Sequence, residues 1–157
     1  MRRPAAVLIL ACLVTTLVSC NRHKSVEGLW RLDRQRTTMH MGFNLKGQSM
    51  LRIEMKGDGV DLHDFVIQGD GSQFALMDRH YPLDGKEREE SSYGERTLYI
   101  SAHFEGAALY TAERIVNKDP AAASPETRTS VTYVLSSDGE QLIGTDEGGK
   151  IATYDRQ

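Results

Sequence analysis

The chain has 157 residues and a mass of 17.5 kDa, enough for one domain. Lys and Arg number 19 against 22 Asp and Glu, and hydrophobic residues make up 39%. That balance fits a folded globular domain rather than a disordered tail. With no basic stripe it excludes a nucleic-acid binder, which needs clustered cations to neutralise phosphates.

Residues 1–20 read MRRPAAVLILACLVTTLVSC. Arg2 and Arg3 precede an uncharged, largely apolar run from Ala5 to Val18. The run is shorter than the ~20 residues a helix needs to cross a bilayer. A basic head, a short apolar middle and a small residue before the cut predict a cleaved secretory signal peptide over 1–19. Its end, Leu17-Val18-Ser19-Cys20, resembles the lipobox of bacterial lipoproteins. The resemblance implies cleavage between Ser19 and Cys20, a diacylglyceryl group on the Cys20 thiol and acylation of the new amine. Residues 20–26 then form a lipidated cysteine and polar tether, leaving 27–157 as the domain. Each buried methylene contributes ~0.8 kcal/mol, so two or three chains give stable anchoring. The implied partner is a lipid bilayer. Asn21 stands where an Asp signals inner-membrane retention, which implies the outer membrane, with the domain facing the periplasm.

Cleavage would remove Arg2 and Arg3 and take the formal charge from −3 to −5. It would also remove Cys12, while acylation uses Cys20. The domain then has no free thiol and no disulfide, which rules out a cysteine nucleophile or a cysteine metal site.

Beyond the tether the pattern is short alternating runs broken by Gly and Asp. Strands are predicted at 28–33, 49–55, 60–68, 73–81, 96–104, 107–116, 127–136, 141–145 and 151–154. Lys56-Gly57-Asp58-Gly59 and Glu105-Gly106 read as hairpin turns. Residues 35–48 are either a short helix or a long loop. The inward face alternates Leu51, Ile53 and Met55; Leu98, Ile100, Ala102 and Phe104; and Val131, Tyr133 and Leu135. Eight or nine such strands predict an all-β antiparallel meander closing into a small barrel, since closure removes exposed edges.

Gly28-Leu29-Trp30 opening the first strand resembles the G-x-W start of lipocalin-like barrels. Tyr81 to Lys86 and Ser136 to Gly139 resemble turn motifs of secreted bacterial lipocalin-like domains. The resemblance implies that Trp30 closes the barrel floor and that Arg156, near the end of the last strand, lies on its ring. The Thr-Asp-Tyr element of true lipocalins is missing, so no ligand specificity carries over.

Candidate sites are sparse. His63, His80 and His103 fall on predicted strands and read either as a three-histidine metal site or as unrelated polar-face residues. No ligand-like spacing joins them, so no metal is assigned. Asp61 and Asp64 read as turn chemistry rather than a cation loop. Glu87, Glu89 and Glu90 read as a solvated charge run. No nucleophile elbow, phosphate loop or dinucleotide fingerprint occurs, so neither an enzyme nor a cofactor is indicated. Met39, Met41, Phe43, Leu45 and Met50 form either an adaptable mouth or a cap over one barrel end. The expectation is an anchored envelope lipoprotein whose barrel binds or shields a small apolar ligand. Trp30, Leu98, Ile100, Leu109 and Tyr133 are the lining candidates. The alternative is a structural or interaction module, its barrel filled by its own side chains and contacting another envelope protein.

Overall fold

A computed structural model describes residues 25–40, 46–119 and 122–157. The signal peptide, Ser19, Cys20 and nearly all of the tether lie outside the described residues, as do Met41, Phe43 and Leu45. The described residues form ten strands. They are β1 (Gly28–Asp33), β2 (Gln48–Lys56), β3 (Gly59–Ile67), β4 (Gln73–Pro82) and β5 (Arg88–Tyr93), followed by β6 (Arg96–Glu105), β7 (Ala108–Asn117), β8 (Glu126–Leu135), β9 (Gln141–Asp146) and β10 (Ile151–Arg156). All belong to one antiparallel sheet, ordered β4-β3-β2-β1-β10-β9-β8-β7-β6-β5. No helix occurs among the described residues. The chain is all-β, and its first and last strands pair at the middle of the sheet, Trp30 opposite Arg156.

The sequence reading needs two corrections. There is a tenth strand, β5, in the stretch read as a solvated charge run. Its six residues, REESSY, are all exposed, so no period-2 pattern marks it. It is ordered by its ladder to β6, which carries a register shift between Glu89 and Ser91. The sheet also does not close into a barrel. β4 and β5 are consecutive in the chain yet form its two outer edges, and they do not pair with each other. Closure would require β5 to contribute an apolar face, and it has none to bury. Charged side chains on an edge disfavour further pairing.

The sheet nevertheless curls until its two arms meet across an open seam. The 83–87 connection crosses from one edge to the other, and Gly85 N donates to Ala102 O at 2.9 Å. Along the seam, the Tyr81 hydroxyl on β4 donates to Glu113 Oε1 on β7 at 2.6 Å. The enclosed face carries the core: Trp30, Leu51, Ile53, Val60, Leu62, Ile100, Ala102, Leu109, Leu142, Ala152 and Tyr154. Met55 and Phe104, at the strand ends of the same face, are partly exposed.

Residues 34–40 fold back along β10. Thr38 N and Met39 N both donate to Ile151 O, at 2.7 and 2.9 Å, and Met39 packs against the core. Met50 sits within β2 and is buried.

Candidate ligand-binding cavity

At one end of the enclosed face, Trp30 is fully buried and its indole Nε1 donates to Val26 O at 2.9 Å. The Arg156 guanidinium lies over the ring, 4.1 Å from its centroid. Arg156 Nε donates to Gly139 O at 2.9 Å, and its two terminal nitrogens donate to Glu27 O and Ser25 O at 3.1 Å. One side chain thereby fastens the chain's entry, its exit and the β8–β9 turn to a single indole. Gly28 is required here. A Cβ at that position would stand 2.9 Å from Arg156 Nη1, and its φ of 145° disfavours other residues.

Further along, where β3 and β4 face β7 and β8 across the curl, the packing is incomplete. A cavity of about 200 Å³ remains. Leu62 and Met77 line one wall and Val131 the other. Its polar lining comes from Thr111, Glu113, Thr129, Ser130, Tyr81 and Tyr133. Thr111 Oγ1 is already used, donating to Val131 O at 3.3 Å. Glu113 Oε1 accepts from Tyr81 and lies 3.8 Å from Arg79 Nε. That Nε is buried and has no hydrogen-bond partner among the described residues. Burial, reinforced by the Glu113 charge, pushes the Tyr81 phenol far above its ordinary range, so it remains a donor.

Tyr133 is 7% exposed and lines the cavity. Burial pushes its pKa up, and the Asp64 and Glu113 charges push it further. Gly144, opposite Tyr133 in register, makes room for the ring; a Cβ there would lie 3.2 Å from Tyr133 Cε1. Asp64 stands beside the cavity on β3, two residues along from Leu62 on the same face and opposite Met77. Burial lifts its carboxyl from 3.8 to about 6, against a hydrogen bond from its neighbour's backbone amide at Phe65. Burial also raises the Tyr154 phenol, and Tyr133 and Asp64 add to that shift.

Of the five lining candidates from sequence, Tyr133 lines the cavity. Trp30, Ile100 and Leu109 are fully packed in the core, and Leu98 leans against it. Sequence reasoning missed Glu113, Thr129 and Met77 as lining residues. The available signal was a break in alternation: Leu109, Thr111, Glu113 and Ile115 share one face, and two polar residues occupy inward positions. Asp64 gives the same signal after Val60 and Leu62.

The other candidates lie apart from this cavity. His63 Nδ1 is 2.7 Å from Asp78, His80 Nδ1 is 2.5 Å from Asp61, and His103 Nε2 is 3.3 Å from Glu105. The first two are cross-strand pairs between β3 and β4 and the third lies within β6, and no group of three or more metal-ligating side chains occurs among the described residues. Asp61 and Asp64 are three apart on one strand and therefore point to opposite faces. Burial would raise Asp61, but His80 and Lys56 outweigh it and hold the carboxyl low. Glu87 pairs with Arg114, whose guanidinium lies 4.3 Å over the Tyr99 ring. No protein-family model matches this chain, and no curated protein matches it.

Proposed function

We propose that this chain is a non-enzymatic bacterial lipoprotein, held at the cell envelope by acylated Cys20, whose curled lipocalin-like sheet binds a small guest. The observation that carries the binding half is the central cavity, whose lining sets Leu62, Met77 and Val131 beside the polar groups of Tyr133, Glu113 and Thr129. At about 200 Å³ the space is below the ~300 Å³ and upward of ordinary ligand pockets. The guest is therefore compact, with a mostly apolar body and a polar end, rather than a long acyl chain. A second reading, a structural module of the envelope, is favoured by the solid packing around Trp30, Ile100 and Leu109.

The anchoring half rests on Leu17-Val18-Ser19-Cys20, and Asn21 in place of a retention Asp supports an outer-membrane position with the domain facing the periplasm. Cys20→Ala should move the protein to the soluble fraction and abolish labelling by a palmitate analogue. Unchanged labelling contradicts the anchor. For the cavity, a guest present at a hundred times its Kd should raise unfolding stability by about 2.7 kcal/mol. Thr129→Trp, which fills the space, should remove that gain. A compact-compound panel that stabilises neither protein, or both alike, contradicts the binding role.

A further inference from the structure

The two walls of the cavity come from opposite arms of the sheet, and little ties them together. Leu62, Met77 and Tyr81 stand on β3 and β4, and Glu113, Val131 and Tyr133 on β7 and β8. A closed barrel would join these arms by a ladder; here β4 and β5 are free edges and no strand pairing links them. At the Trp30 end the 83–87 strap bridges the seam by backbone bonds on both sides. Leu83 N donates to Asp58 O at 3.1 Å on one arm, and Gly85 N to Ala102 O at 2.9 Å on the other. Further in, the Tyr81 hydroxyl donates to Glu113 Oε1 at 2.6 Å, and Arg79 Nε stands 3.8 Å from the same oxygen with no hydrogen bond of its own. Beyond that point β4 has no backbone bond to the far arm among the described residues. The register shift opposite Asp64 and Phe65 leaves Leu76 without a register partner and bends β4 beside Met77.

These parts have the layout of a hinge, a latch and a leaf. A ladder opens only when several backbone bonds break together. This seam opens when one side-chain bond breaks, because the strap stays fixed and each arm keeps its own strand pairing. Both partners of that bond line the cavity, so its release parts the walls. We propose that the β3–β4 arm is a gate on the cavity, hinged at the 83–87 strap and latched by the Tyr81–Glu113 hydrogen bond. What the gate admits rests on the binding role above; the motion itself needs no guest.

Alkylation by iodoacetamide reads the opening directly. Leu62→Cys puts a thiol on the cavity wall, where the latched form leaves 1% exposed, and Leu142→Cys puts one in the fully buried core. Each is made in the full chain in detergent micelles, alone and with Tyr81→Phe, which removes the latch hydroxyl and keeps the ring. Peptide mass spectrometry follows labelling at each position. The thiol at position 62 should react at least about tenfold faster than the one at 142, and Tyr81→Phe should speed position 62 about tenfold more while leaving 142 within about twofold. Equal rates at the two positions, or a Tyr81→Phe effect that is absent or shared by both, overturn the gate. Tyr81→Phe without either cysteine gives a second reading. Methyl relaxation dispersion should show microsecond-to-millisecond exchange at Leu62, Met77 and Val131 that grows in this variant, with Leu142 flat. Flat cavity methyls in both proteins overturn the gate as well. Neither measurement contains a guest, so failure here leaves the small-guest role standing. Failure of the compact-compound panel removes that role, while these rates alone decide the gate.

Discussion

Arg156 has an outsized role for a residue one place from the end of the chain. Its fork meets three backbone carbonyls on two separate segments, residues 25–27 and the β8–β9 turn, while its plane covers Trp30. Lysine keeps the charge but cannot reproduce a planar fork. Arg156→Lys should therefore destabilise the fold by about 2 kcal/mol, read by urea unfolding followed on Trp30 fluorescence. Asp64 works in the opposite sense. Its carboxyl titrates near 6 in the folded protein against 3.8 as the ordinary value, so the native state binds the extra proton between those limits. Stability thus falls as pH rises through about 4 to 6, and the cost is fully present above that window. Asp64→Asn should be more stable than the parent at pH 7, on the order of 2 kcal/mol, with the advantage vanishing below pH 4. The Trp30 and Arg156 pair was legible in the sequence because a short motif and a chain end marked it. Asp64 and Glu113 were not, because a carboxylate on a strand reads as a wet-face residue until its register is known.

Strand alternation was readable wherever one face is buried. β2, β6 and β8 appear at nearly their observed bounds, because Leu51 and Ile53, Ile100 and Ala102, and Tyr133 alternate with polar neighbours. β5 was invisible for the converse reason: none of its six residues is buried. Its order comes only from hydrogen bonds to β6, so it should open locally at far lower cost than the central strands. Hydrogen exchange should find β5 amides exchanging at least about a hundredfold faster than those of β1 and β10, which pair on both sides. Equal protection would mean that the seam is closed. Gly144 links the strand scale to the cavity. A side chain there meets the Tyr133 ring and the Val131 methyl, each within 3.4 Å of the added Cβ. Gly144→Val should cost about 1–3 kcal/mol and press the tyrosine into the hollow, abolishing guest-induced stabilisation.

For the whole molecule, the direction in which the chain enters relates the proposed anchor to the cavity. Residues 25–27 reach the sheet at the end that Trp30 and Arg156 fill, beside the Gly139 turn. The described chain therefore begins at the solid end of the fold. In the proposed anchored form, that end faces the bilayer and the opposite rim, where Thr38 and Met39 bond to Ile151, faces away from it. Barrel closure was the one whole-molecule property read wrongly. Alternation reports which face is buried and says nothing about whether the last edges meet; here the chain between β4 and β5 spans the gap that a ladder would have filled. The central claim is that the curled sheet holds a small molecule. Native mass spectrometry of the full chain, purified gently from the cell that makes it, tests this most directly. The account predicts a low-mass adduct on the parent protein that is missing from Thr129→Trp. Parent protein free of adduct, or an adduct unchanged in the filled variant, would contradict it.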